Sequence, residues 1–132
     1  MVRMPCRLPE RAPTRSNYRS VPPLRNRGKP MYIHIFLFRW KPDATADDCS
    51  RATHAIEGFR GEIPGLLEVA VGPNVAVNHG GHGFGGYMKF ANAAACAAYA
   101  DHPLHVALLE WLLPLIEAVE LDLNPSKFEG TP

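Results

Sequence analysis

Between residues 31 and 124 the spacing of apolar and polar positions changes several times, and each change marks an element. Over residues 31–40, Tyr32, His34, Phe36, Phe38 and Trp40 alternate with Met31, Ile33, Ile35 and Leu37. Aromatic and β-branched residues on both alternating sets predict a strand, ended by Lys41-Pro42-Asp43. A strand apolar on both faces needs cover on both sides. Over residues 45–60 the period becomes three and four: Cys49, Ala52, Ile56 and Phe59, continued by Ile63, form one stripe of a helix. Thr45 is its expected N-cap, and Asp47 and Asp48 lie in the first turn, where the helix dipole favours acids. On this stripe Cys49 is expected in the core rather than in chemistry.

Pro64-Gly65 predicts a turn, after which residues 66–71 alternate again, with Leu67, Val69 and Val71 on one face and Glu68 on the other. Residues 75–86 are glycine-rich and hold His79 and His82, but they lack a phosphate-loop lysine, a GxGxxG pattern or a third ligand. A mobile surface loop or lid is expected there. Residues 84–90 predict a third strand in which Gly85 and Gly86 suggest a bulge, or room for something lying against the sheet. Asn92 caps an alanine-rich helix over residues 93–101, with Cys96 as buried filler. Pro103 ends that helix near His102 and opens the next. In the second helix Leu104, Leu108, Trp111 and Leu115, widened by Leu112, predict a core stripe that Pro114 closes. Val119, Leu121 and Leu123 alternate with Glu120, Asp122 and Asn124 in a fourth strand.

Strand, helix, strand, strand, helix pair, strand is the order of an α+β, ferredoxin-like split β-α-β sheet with helices on one face. The helices suffice for one face only, so the doubly apolar first strand predicts a homodimer whose two sheets pack into an α/β barrel. Leaving such side chains wet would cost about 1.5–3 kcal/mol each.

Composition divides the chain. Arg3, Arg7, Arg11, Arg15, Arg19, Arg25, Arg27 and Lys29 against Glu10 alone give residues 1–30 a net charge of +7, leaving −6 for residues 31–132 of the chain total of +1. Pro5, Pro9 and Pro13 forbid the basic helix that the four-residue arginine spacing would otherwise build. Residues 1–30 are therefore expected to be a disordered basic tail, 31–124 the domain, and 125–132 a short C-terminal tail. A targeting segment, or translation from Met31 with an artefactual tail, are alternative readings of residues 1–30. Nucleic-acid binding is not expected of the acidic domain. No apolar run approaches the ~18 residues of a membrane span. Three widely spaced cysteines, Cys6, Cys49 and Cys96, lack metal-ligand spacing and argue against a disulfide framework. A reducing, cytoplasmic location and no metal follow as expectations.

The candidate chemistry lies at the helical corner Tyr99-Ala-Asp-His102-Pro103-Leu-His105. It can bring a phenol and an imidazole to one pocket, the hardware of acid–base catalysis. The alternative is structural, with His102 capping the junction, Tyr99 packing in the core and His105 facing water. His34, among aromatic neighbours on a strand, is equally readable as a hydrogen-bonded core residue.

The run from Met31 through His34 to Pro42, Ile63-Pro-Gly65, Gly72-Pro-Asn74 and the corner from Tyr99 through His102-Pro103 to His105 together resemble the stress-responsive dimeric α/β-barrel domain family. The resemblance covers residues 31–124 and implies the fold and dimer above, with no organic cofactor. Similar plant proteins include stress-accumulated or antimicrobial proteins and a polyketide cyclase that closes a ring by aldol condensation. Transferred by motif, the cyclase type implies His105 and Tyr99 as the catalytic pair and His34 as a pocket residue. Phe36 and His102 are added as candidate ligand-binding residues. Gly83-Phe84-Gly85 departs from the cyclase pattern, because Phe84 stands where that type has a polar residue. Two functions follow as expectations: a homodimer with a pocket for a small hydrophobic or aromatic ligand, or a cofactor-free cyclase or lyase. In the second, His105 removes a proton α to a carbonyl and Tyr99 stabilises the enolate oxygen.

Overall fold

The structure, a computed structural model, describes residues 31–125. The expected basic tail and residues 126–132 lie outside the described residues. β1 (Tyr32–Trp40) leads to α1 (Ala46–Glu57), β2 (Leu66–Pro73), β3 (Phe84–Phe90), α2 (Ala93–Ala100) and α3 (Pro103–Leu112). A 3₁₀ turn (Leu113–Leu115) then feeds β4 (Ile116–Leu123). The four strands form one antiparallel sheet in the order β2-β3-β1-β4, which is the ferredoxin-like arrangement. Among the described residues no helix is long and apolar enough to cross a membrane.

Local chemistry explains the helix ends. Thr45 and Asp48 form a reciprocal capping box at α1. Asn92 caps α2 by accepting from the Ala95 N–H at 2.8 Å. Pro103 opens α3 at a position whose amide would have no partner within the helix. The 3₁₀ turn at Pro114 closes α3, since proline cannot continue the α-helical ladder.

The helices cover one face of the sheet. Phe36, Phe38, Val69, Phe84, Met88 and Phe90 are buried there against Ala52, Ile56 and Phe59 of α1 and its C-terminal turn, and against Leu108 and Leu112 of α3. On the other face the register aligns Ile33 with Leu123, Ile35 with Leu121 and Leu37 with Val119. Val119, Leu121 and Leu123 are about half exposed there, and the three β1 residues are only partly covered.

Several details differ from the sequence pattern. Leu67 is the extra residue of a bulge between Leu66 and Glu68, so it is exposed instead of sharing a buried face with Val69. Gly85 and Gly86 form no bulge against β1. A Cβ on Gly86 would strike the Ala70 carbonyl oxygen of β2 and lie 2.7 Å from the Phe36 ring, so the missing side chain is space already used within the fold. Leu104 is 42% exposed and does not belong to the core stripe, and Cys49 is half-buried at its edge. β4 begins at Ile116, earlier than its clearest alternation suggests. The glycine-rich loop is tied down: Arg39 donates to the Gly80 carbonyl at 2.8 Å, and Asn74 donates to that of His82 at 2.9 Å.

Candidate functional site

A cleft opens between the helical corner and the β1–β4 half of the sheet. Its outer part, about 260 Å³, is lined by Tyr32, His34, Cys96, Tyr99, His105, Glu120 and Asp122, with Ala93, Ala97 and Ala100 of α2. A smaller inner cavity of about 50 Å³ shares His34, Tyr99, His105 and Glu120, and continues among Phe36, Phe38, Ile56, Leu108 and Leu112. Small residues on α2 leave the outer space. The inner cavity holds little more than a methyl group or one water.

Tyr99 is the buried pivot. It is 7% exposed, held edge-on by Phe59 at 5.7 Å between ring centroids and flanked by Phe90 at 5.4 Å. Burial, reinforced by Cys96 and Glu120, pushes its phenol well above the ordinary range, so it stays a proton donor through neutral pH. Tyr99 lines both the outer cleft and the inner cavity. The His105 ring lies 4.2 Å from the Tyr99 ring. His105 Nδ1 is 3.0 Å from the Ala100 carbonyl oxygen. A carbonyl only accepts, so Nδ1 carries the proton, and in the neutral ring the lone pair is on Nε2. His105 is thus half-buried at the cleft instead of facing water.

His34 is buried, with its ring 6.3 Å from that of Tyr99. Its Nδ1 donates to Asp122 Oδ1 at 2.6 Å, while Tyr32 donates to Asp122 Oδ2 at 2.8 Å. Partial burial pushes the Asp122 carboxyl up. The two hydrogen bonds and the charge of His34 outweigh this and hold it below its ordinary value. The bond to Asp122, followed by burial and the carboxylate charge, raises Tyr32 to about 12. Burial, with the charges of Asp122 and Glu120, raises the Cys96 thiol to about 11.

Of the residues expected from sequence, His34, Tyr99 and His105 converge on the cleft and Phe36 lines its inner end. His102 stands apart: its Nδ1 accepts from the Leu104 N–H at 3.1 Å and caps α3. Tyr32, Cys96, Glu120 and Asp122 were missed. The available signal was His34 itself, since a buried imidazole requires a partner. The polar side of β4 could supply one only if β4 paired with β1.

This geometry frames the comparisons with known proteins. Residues 33–124 match the model of the Stress responsive A/B Barrel Domain. A dimeric ferredoxin-like protein of unknown function from Thermobifida fusca is 26% identical, with TM-score 0.65 over 74% of this chain and 92% of that one. A Dabb family protein with a ferredoxin-like fold from Mesorhizobium loti is also 26% identical, with TM-score 0.63 over 73% and 97%. Hydroxynitrile lyase from Passiflora edulis shares the fold at 14% identity, with TM-score 0.63 over 79% and 99%. Among curated proteins no match reaches significance. With the family model spanning most of its length, the chain belongs to the stress responsive A/B barrel domain family.

Proposed function

We propose that the chain is a small cytoplasmic homodimer that binds a small, partly apolar ligand bearing a carbonyl or hydroxyl group in the Tyr99–His105 cleft. The observation that carries this reading is the cleft itself: a mostly buried tyrosine lining the cleft beside an imidazole, at the mouth of an apolar cavity. A ligand oxygen would satisfy the phenol, and a small alkyl or aromatic edge would fill the inner end. The apolar outer face of the sheet supports the dimer, and a solved structure at 26% identity is described as dimeric. Residues 31–124 carry both properties, with residues 1–30 as an appendage. Titrating the chain with aromatic and aliphatic carbonyl compounds tests the binding reading. A saturable shift of the Tyr99 and His105 ring resonances supports it, and no shift up to millimolar ligand overturns it.

A second reading is favoured by the His105 tautomer. With Nδ1–H held by the Ala100 carbonyl, Nε2 is available to take a proton α to a bound carbonyl, and the protonated Tyr99 phenol can donate to the enolate oxygen. This is the cofactor-free cyclase or lyase alternative. Base-dependent exchange of an α-deuteron on a bound ketone, abolished by His105→Ala, is its test.

A further inference from the structure

We infer that His34, Cys96 and Asp122 form a binding site for a borderline-soft divalent cation, zinc above others, at the mouth of the cleft. The three come from β1, α2 and β4, and one donor atom of each lies within 4.8 Å of the others. Imidazole, thiolate and carboxylate are the ligand types zinc takes, and three protein ligands with one open position make an accessible site. Tetrahedral zinc with bonds of about 2.0–2.3 Å separates its donors by roughly 3.3–3.7 Å, so closure needs about an ångström of side-chain movement. The outer cleft leaves space for the fourth ligand, a water or an exogenous anion.

Two further features suit a cation. The outer cleft is lined by Glu120 and Asp122 but by no lysine or arginine among the described residues, and the groups that face Asp122 there are a histidine and a phenol. Tyr32 donates to the far oxygen of Asp122, a bond that orients the near oxygen toward His34 and would persist beside a metal. On binding, Cys96 loses its thiol proton to solvent and its sulfur bonds the ion. Binding through Nδ1 replaces the His34–Asp122 hydrogen bond, and the ring proton moves to Nε2, so neutral His34 ligates through its freed lone pair. The metal site shares the outer cleft with the proposed ligand, but neither Tyr99 nor His105 supplies a donor, so the two are tested separately. Sequence spacing conceals it because the three ligands are 26 to 88 residues apart and meet only through the order of the sheet.

The test is cobalt(II) titration of the reduced, metal-free full chain, followed by zinc competition. The expected result is one equivalent of cobalt with a thiolate-to-metal charge-transfer band and tetrahedral visible absorption, both erased by zinc. Cys96→Ser abolishes the band and Cys49→Ser keeps it. Asp122→Asn, which preserves shape and thiol, weakens binding while retaining the native far-ultraviolet dichroism. Tyr32→Phe weakens binding by about 10–100-fold. No thiolate band in the native chain, a band surviving Cys96→Ser, or unchanged affinity in Asp122→Asn overturns the site.

Discussion

Leu121→Asp is expected to dissociate the dimer. Leu121 lies in the middle of β4, opposite Ile35, and is 52% exposed in the single chain. Full burial of a leucine side chain is worth about 2 kcal/mol, so covering the exposed half in an interface contributes about 1 kcal/mol. A two-fold interface contains the residue twice, so Leu121→Ala should cost about 2 kcal/mol, roughly a 30-fold rise in dissociation constant. Leu121→Asp adds two unpaired carboxylates, each costing several kcal/mol to desolvate, and brings the dissociation constant to micromolar or weaker. Leu104→Asp is the control, because Leu104 is similarly exposed on the helical side, away from this face. Sedimentation velocity over a concentration series, with dichroism at each point, reads the outcome. Leu121→Asp should yield monomer or concentration-dependent unfolding, and Leu104→Asp an intact dimer. An intact Leu121→Asp dimer, or a Leu104→Asp monomer, refutes the sheet-to-sheet assignment.

Tyr99→Phe removes only the hydroxyl at the cleft and keeps the ring packing, so it should change stability by less than about 1 kcal/mol while weakening ligand binding. Tyr99→Ala empties a buried site and should cost about 3–5 kcal/mol, both read from urea unfolding. Tyr99 also predicts an alkaline limit. Its folded-state value lies above the ordinary 10.0, so the associated stability is complete below about pH 10 and is lost as pH rises toward the folded value. Native protein should therefore lose stability more steeply above pH 10 than Tyr99→Phe, and equal slopes would count against the burial of this phenol. Gly86→Ala drives a Cβ into the Ala70 carbonyl oxygen of β2 and to 2.7 Å from the Phe36 ring and should cost about 1–3 kcal/mol or more in the same assay, with a cost near zero contradicting the close approach.

Periodicity made most of the fold legible. The alternating faces of β1, the three-four stripe of α1 and the Pro103 corner each follow from local sequence, because each depends on side-chain spacing or proline geometry within one element. Leu67 escaped because a bulge changes strand phase without changing composition. Leu104 escaped because it sits in the first turn of a helix at a corner, where it is left exposed. At the site, Tyr99 and His105 were readable since six residues of chain bring them together. The Asp122–His34 pair was hidden by a strand order that no local pattern encodes, and Asp122 was only one polar position of the alternating fourth strand.

The most direct test is a histidine-ring NMR titration of the full chain with and without a panel of small aromatic carbonyl compounds, repeated on His105→Ala. Ligand binding in the Tyr99–His105 cleft predicts that one histidine's titration curve moves on ligand addition and that this signal disappears in the variant. If no ring responds to any ligand, or if the responding ring belongs to neither His105 nor His34, the cleft is a packing feature of the corner and not the functional site.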